Sequence, residues 1–314
     1  MNRKALPLVR ELCCKADEYG VLVERNDQGA CFIDAGIRVP AGIEAGRLVT
    51  EICAGGLGKA TISTKAFGNM KLPLISFSTN YPAISLLGAQ LAGWKIKIGD
   101  FSAIGSGPAR ALALKPKSVF EKIGYKDESD VAVLVLETSE KPSEEAVAVI
   151  SSSCRISPQN LFLILAPTSS LVGFTQISGR IAETGVHKLS ELGFDPKLIV
   201  GAEGCAPILP VHSDTAKAMG RTNDAILYGG EVHLTVQCED DNELVALAGQ
   251  SVSSASEQYG RPFAEIFKEA GFDFYKIDPA LFAPAIMVIT SAITGKTFGA
   301  GKLNIEVLKR SAAP

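Results

Sequence analysis

Apolar runs of two kinds divide the middle of this chain into strands separated by helices. Lys95–Ile98 alternates polar and apolar side chains, which is typical of a half-buried strand. Residues 131–136 and 161–166 are apolar almost throughout, which predicts strands covered on both faces. Helical patterns separate the strands, at residues 110–115, at 144–152 and around 177–192. The alternation predicts an α/β fold built from layers of helix and sheet.

Turn residues predict hairpins near both ends of the chain. Asn26–Gly29 separates two apolar runs, at 21–23 and 31–33, which indicates one hairpin. The segment 292–295 separates strand-like residues 286–290 and 296–298, which indicates another. Further strand-like runs lie at 60–63 and 72–78, a first helix ends at Tyr19–Gly20, and a helix begins at Pro82 and ends before Gly93.

The length of the chain favours two α/β domains, because 314 residues exceed the usual size of one. No linker or low-complexity segment marks a boundary. We place the first domain at 1–93, with 270–314 expected to pack back on it, and the second at 94–269.

Charge and cysteine content exclude several classes of protein. The 31 basic and 34 acidic residues give a net charge of −3, without a basic patch for nucleic acid or for a membrane surface. No segment is apolar for long enough to span a bilayer. The seven cysteines form no C-x-x-C pair, which fits reduced thiols and a cytoplasmic location better than a disulfide framework.

The segment Gly105–Arg110 is a candidate anion site. Gly105, Ser106 and Gly107 precede a helix whose first turn holds proline, so backbone N–H groups could face an anion, and Arg110 adds positive charge. A dinucleotide fingerprint would need glycine in place of Arg110. From these residues alone, a tight strand-to-helix turn with a solvated arginine explains the pattern better.

The helix around 177–192 carries a second candidate. Ile177, Ile181, Leu189 and Leu192 form an apolar stripe in which Gly185 permits close approach, and the opposite face carries Arg180, Glu183, Thr184 and His187. A surface ion pair is the usual explanation for arginine three residues before glutamate. The alternative is a carboxylate base oriented by a guanidinium.

Three other features carry little chemistry. His187 lies one turn after Glu183, a spacing compatible with metal ligands, but no H-E-x-x-H motif is present. His212 and His233 have no motif partners, so we expect no metal. Thr294–Thr297 resembles the end of a P-loop, but the required first glycine is missing, and we interpret it as a hairpin turn. Gly88–Gly93 could hold a ligand or a water at the end of a helix, although a plain helix end explains these residues better.

Together, several segments resemble the methenyltetrahydromethanopterin cyclohydrolase family, in the order that the family shows and over essentially the whole chain. The matching segments are residues 51–58, 90–94, 105–116, 166–168, 176–183, 218–224, 273–279 and 294–297.

The resemblance implies a reaction and a site. The family hydrates a cationic methenyl carbon that bridges two nitrogens of the pterin carrier, gives the N5-formyl compound, and runs in reverse without metal, nucleotide or prosthetic group. It implies a homotrimer of two-domain α/β subunits with the pterin between the domains. Its general base falls on Glu183, and the arginine that positions the water and tunes the base falls on Arg180. A nearby guanidinium favours an ionised carboxylate, which suits a base.

The resemblance also implies a substrate-binding segment beside the formyl oxygen, which matches Gln90, Leu91 and Ala92. Archaeal members carry lysine where this chain has Leu91, so Gln90 and backbone groups are expected to make the polar contacts. This departure favours a bacterial-type enzyme whose carrier is tetrahydromethanopterin or a dephospho form without the archaeal tail. Gly105, Ser106, Gly107 and Arg110 are expected to contribute backbone anion contacts.

Three other functions remain to be separated from this one. A dehydrogenase acting on the same carrier would need a nicotinamide site, and no G-x-G-x-x-G follows a strand. A non-catalytic pterin-binding protein would not need both Arg180 and Glu183. A folate-specific cyclohydrolase would differ in its preferred carrier.

Overall fold

The computed structural model describes residues 1–313, which form the layers of helix and sheet that the sequence predicts. The helices are α1 (Asn2–Cys14), α2 (Ala16–Tyr19), α3 (Ile43–Cys53), α4 (Ala109–Ala113), α5 (Lys117–Ile123), α6 (Glu144–Cys154), α7 (Leu171–Ser178), α8 (Ile181–Glu191), α9 (Thr215–Gly229), α10 (Asp241–Gln250), α11 (Phe263–Glu269) and α12 (Ile305–Ala312). The strands are β1 (Leu22–Arg25), β2 (Cys31–Asp34), β3 (Gly58–Phe67), β4 (Met70–Thr79), β5 (Trp94–Ile98), β6 (Phe101–Ser106), β7 (Ala132–Glu137), β8 (Leu161–Leu165), β9 (Ile199–Pro207), β10 (Glu231–Val236), β11 (Ile286–Ser291) and β12 (Thr297–Gly301). A π-helical segment covers Ala83–Gln90, and short 3₁₀ turns cover Pro158–Asn160, Pro196–Leu198, Ser253–Ala255, Phe274–Lys276 and Pro279–Leu281.

Two compact units divide the chain, residues 1–59 with 83–176 and residues 60–82 with 177–314. This division differs from the predicted boundaries at 1–93 and 94–269. The reason is long-range strand pairing: β2 pairs in parallel with β8, and β4 pairs antiparallel with β9. Residues 270–313 belong with the second unit, in which β11 pairs with β10.

The first unit contains one mixed sheet in the order β1-β2-β8-β7-β6-β5. Val133 and Val135 of β7 face a core formed with α1 and α3, whereas Leu134 and Leu136 face a core formed with α6. Both faces of this strand are therefore covered, as its continuous apolar sequence predicts. The predicted hairpin of β1 and β2 is also confirmed, since the two strands pair antiparallel.

The second unit contains the other sheet, in the order β12-β11-β10-β9-β4-β3. The predicted hairpin near the end of the chain is confirmed, because β11 pairs antiparallel with β12 and the turn between them contains Thr294 and Gly295. Helix α8 packs on β9 and β10. Nowhere in residues 1–313 does a helix have both the length and the apolar character that a membrane crossing requires.

Candidate functional site

The predicted helix around 177–192 is two helices, which corrects the sequence-based boundary. Helix α7 ends at Ser178, and α8 begins at Ile181 with Arg180 as its N-cap residue. The Ser178 hydroxyl donates a 2.9 Å hydrogen bond to the carbonyl of Pro207, the last residue of β9. The break therefore places Arg180 at the start of a helix rather than within one.

Arg180 and Glu183 are both buried, with 7% of each residue exposed. The Arg180 carbonyl accepts the hydrogen bond that starts α8, from the N–H of Thr184 at 2.9 Å. Glu183 occupies the third position of α8, where the positive end of the helix dipole favours a carboxylate. A solvated surface pair would be exposed, so burial removes that explanation for these two residues.

Gly204 in β9 and Gly230, the residue directly before β10, let the start of α8 lie close to the strands. A Cβ atom on Gly204 of β9 would stand 3.0 Å from the backbone nitrogen of Ala182. A Cβ atom on Gly230 would stand 2.4 Å from Cδ1 of Ile181. No sequence motif connects these two glycines with α8, because each lies far along the chain from the helix that it accommodates. The two glycines therefore set the distance between the sheet and the turn of α8 that carries Glu183.

Further along α8, the side chain of Lys188 anchors the helix to the loop before β11. Its Nζ donates to the carbonyl of Pro279 at 2.9 Å, and burial lowers the pKa of Lys188. His187 lies on a more exposed part of the same helix, with Nδ1 3.9 Å from Glu191 Oε1. No group of three or more histidine, cysteine, aspartate or glutamate side chains within residues 1–313 is arranged to hold a metal ion.

In the first unit, the structure brings two predicted segments together. Gln90 ends the π-helical segment, and the N–H of Gly107 donates a 2.8 Å hydrogen bond to the carbonyl of Ala89. The chain continues through Leu91, which is half-buried, to Ala92, which is exposed. The predicted α-helix after Pro82 is thus a π-helix whose end lies against the Gly105–Arg110 segment.

The segment expected to face an anion makes many contacts within this unit. Gly105 and Ser106 lie in β6, and Gly105 pairs with Trp94 and Leu136. The Arg110 side chain is 0% exposed, so the alternative of a solvated arginine is wrong. Its guanidinium donates to the carbonyls of Lys115, Leu87 and Ala89 at 2.8, 3.0 and 3.1 Å. A direct substrate contact by residues 105–107 stays a prediction.

Cys53 is a further residue at this place that sequence analysis did not assign to the site. Its Sγ lies 3.2 Å from Oγ of Ser106 and 3.9 Å from the carbonyl oxygen of Gln90. The thiol comes from the last residue of α3 and is buried. The signal that could have found it is its place in the segment 51–58, one of those that resemble the family.

Comparison with known proteins gives one consistent result. A family model described as Cyclohydrolase (MCH) matches residues 1–312. Methenyltetrahydromethanopterin cyclohydrolase of Methanothermobacter marburgensis is 47% identical over 314 residues, covering 99% of this chain and 98% of the relative. The proteins of the same name from Methanospirillum hungatei and Methanocaldococcus jannaschii are 47% and 45% identical, each over 99% of this chain and over 98% and 97% of the relative. The chain therefore belongs to the methenyltetrahydromethanopterin cyclohydrolase family of enzymes.

Proposed function

We propose that this enzyme reversibly hydrates 5,10-methenyl-tetrahydromethanopterin to 5-formyl-tetrahydromethanopterin, with Glu183 as general base and Arg180 positioning the water. The observation that carries the proposal is the burial of Arg180 and Glu183, one turn apart at the start of α8. Their burial occurs in a chain that resembles cyclohydrolases of this name along its whole length. A guanidinium and a carboxylate that are both buried are more typical of a catalytic pair than of a solvated surface ion pair.

The substrate itself supplies the electrophile, so the enzyme needs an oriented water and a proton acceptor. The water oxygen bonds to the cationic methenyl carbon while the Glu183 carboxylate accepts a water proton. The bond from that carbon to the second nitrogen then breaks as the nitrogen takes up the hydroxyl proton, which leaves the formyl group on N5. The proton held by Glu183 passes to solvent and balances the lost positive charge. The proposed reaction requires no metal, nucleotide or prosthetic group.

Arg180 contributes orientation in this proposal. A guanidinium presents several N–H donors in a fixed plane, so it can hold a water oxygen in one direction. The helix dipole at the start of α8 favours the ionised form of Glu183, which is the form that accepts a proton. Orientation and proton acceptance together account for a large share of the acceleration that such a hydration needs.

For the substrate side, we propose that Gln90 and backbone groups of Leu91 and Ala92 contact the formyl oxygen. Leu91 has no donor, so a polar contact there must come from the Gln90 amide or from main-chain N–H groups. We also expect a homotrimer, which light scattering on the purified protein can test.

The test is a spectrophotometric assay of purified protein with methenyl-tetrahydromethanopterin and without added metal or nucleotide. Opening the bridge breaks the conjugated amidinium, so its near-ultraviolet absorbance is expected to decay much faster than in buffer alone. Methenyl-tetrahydrofolate in a parallel assay is expected to be the poorer substrate. Binding without accelerated decay would contradict the proposal and would leave a pterin-binding protein. Faster turnover of the folate carrier would overturn the choice of substrate.

A further inference from the structure

The carboxyl end of the π-helical segment Ala83–Gln90 is held by one buried arginine. A helix end leaves carbonyl groups without partners in the helix, and these carbonyls carry partial negative charge. Arg110 Nη1 donates to two of them, the carbonyls of Leu87 and Ala89, at 3.0 and 3.1 Å. Charge-assisted hydrogen bonds of this kind are among the stronger ones in a protein interior.

The same guanidinium is fixed from its other side. Its Nε donates to the carbonyl of Lys115 at 2.8 Å, and Cζ lies 5.7 Å from the ring centroid of Phe120. Arg110 is wholly buried in this arrangement. Because both the carbonyls and the ring constrain its plane, Arg110 presents Nη1 to the π segment in one orientation.

The chain that leaves the π segment passes directly over this guanidinium. A Cβ atom on Gly93 would stand 2.7 Å from Arg110 Nη2 and 2.8 Å from Cδ of Pro116. Only glycine fits there without displacing the guanidinium or the ring of Pro116. Arg110 therefore contacts the chain on both sides of Leu91 and Ala92, at the carbonyl of Ala89 before them and at Gly93 after them.

Two further contacts lie at the same end. The N–H of Gly107 donates to the carbonyl of Ala89 at 2.8 Å, and the N–H of Leu91 donates to the carbonyl of Leu86 at 2.8 Å, which completes a π turn. Insertions of this kind into a helix frequently occur at functional sites. The turn ends at Gln90, the first residue of the segment to which we assign the formyl oxygen.

We propose that Arg110 is a positioning residue for the reaction, which holds Gln90 at the end of the π segment and sets the direction in which Leu91 and Ala92 leave it. This inference rests on the proposed function, because it gives that segment its role. In this role Arg110 acts through the backbone carbonyls that it contacts. Its loss changes the geometry of the segment that binds the formyl oxygen, and Gly93 is required because any larger side chain would push the guanidinium away.

The experiment compares Arg110→Lys, Gly93→Ala and Val147→Ala with the wild type. Lysine keeps the charge but loses the planar fork, and Gly93→Ala displaces the fork from outside. Val147 is a fully buried residue of α6 in the same unit and controls for general destabilisation. We expect kcat/KM to fall at least tenfold for the first two variants, mostly through kcat, at a temperature where all four proteins are folded. For Val147→Ala we expect unchanged kcat and KM with a lower Tm.

Hydrogen–deuterium exchange of the same proteins provides a readout that does not depend on activity. The peptide covering 86–93 is expected to exchange faster in Arg110→Lys and Gly93→Ala, whereas the peptide covering α6 stays protected. Wild-type kinetics with folded Arg110→Lys and Gly93→Ala would overturn the positioning role. So would unchanged exchange at 86–93. If the wild type itself lacks cyclohydrolase activity, the exchange result still decides whether Arg110 orders this segment, and the proposed function fails separately.

Discussion

Arg180 is the N-cap residue of α8, and Glu183 is the third residue of the same helix, so their Cα atoms are fixed one turn apart by backbone that the sheet supports from below. Each of the two residues keeps 7% exposure. Because the start of α8 lies on Gly204 and Gly230, neither side chain can adjust by moving the helix. A substitution at either position therefore tests chemistry more than helix placement.

Glu183→Gln is expected to lower kcat by about 10²–10⁴-fold, the usual contribution of a general base. The amide keeps the size of the side chain but cannot accept a proton from water, so substrate binding is expected to be retained. Stopped-flow absorbance and equilibrium titration measure the two properties. Glu191→Gln on the exposed end of α8 is the matched control and should behave as the wild type. Full activity of Glu183→Gln would remove the base from the mechanism.

Arg180→Lys is expected to lower kcat/KM about tenfold or more, because lysine keeps the charge but replaces the planar fork by a single ammonium. Arg180→Ala should be impaired further, since it also leaves the buried carboxylate without that positive charge. Steady-state kinetics on the methenyl carrier measure both variants. Arg3→Ala, which removes an exposed pair with Asp130, serves as the control and should leave the kinetics unchanged. Wild-type rates in Arg180→Lys would show that orientation by the fork is not needed.

The apolar pattern predicted the strands of the first unit because burial on both faces leaves its signal within the sequence of each strand. Val133 and Leu134 face different cores, and a continuous apolar run is the direct consequence. The division into units was not predictable in the same way. It depends on pairing such as Leu74 with Pro207, between segments more than a hundred residues apart that carry no local signal of their partnership.

Within the candidate site, the contacts of the predicted residues could not be read from the sequence. The apolar spacing of Ile177 and Ile181 continues through the break between α7 and α8, so the pattern alone indicates one helix. The break coincides with a tertiary hydrogen bond, from Ser178 to Pro207. Likewise, the sequence indicated Arg110 only as a positive charge that could lie beside an anion. Its contact with the carbonyl of Leu87 could not be predicted, because no motif connects the two positions.

Gly185→Ala is expected to destabilise the protein by about 1–3 kcal/mol, the usual cost of overpacking. A Cβ atom at Gly185 would stand 2.6 Å from Val232 Cγ1 and 3.1 Å from Met287 Cε, so α8 would have to move away from the sheet. Urea denaturation measures the free energy of unfolding. Gly249→Ala on α10 is the matched control, because nothing lies within 4 Å of its Cβ position. There the better helix propensity of alanine should stabilise the protein by about 0.5–1 kcal/mol. Equal effects of the two substitutions would contradict the close contact of α8.

Asp224 is expected to make the protein less stable as the pH rises from about 4 to about 7. Burial raises the pKa of Asp224 to about 7 from an ordinary value of 3.8, against the opposing effect of hydrogen bonds from Ser311 and the Phe263 N–H. Between these two values the native state holds a proton that the unfolded state has released. Protonation therefore favours the folded state at low pH, and this contribution is lost as the pH passes through the folded pKa.

Asp224→Asn removes the titrating group and keeps an oxygen that can accept from the N–H of Phe263, a contact of 2.8 Å in the wild type. The free energy of unfolding of the wild type, relative to this variant, is expected to fall between pH 4 and pH 7 by up to a few kcal/mol, on the order of 1.4 kcal/mol for each unit of pKa difference. Urea titrations at four pH values measure this difference. Asp130→Asn is the control, because hydrogen bonds from its own backbone and from exposed Arg3 lower the pKa of Asp130, so that stability relative to this variant should not fall over the same range. If the difference in free energy of unfolding between the wild type and Asp224→Asn does not vary with pH, Asp224 is ionised in the folded protein over this whole range. That result would contradict the prediction.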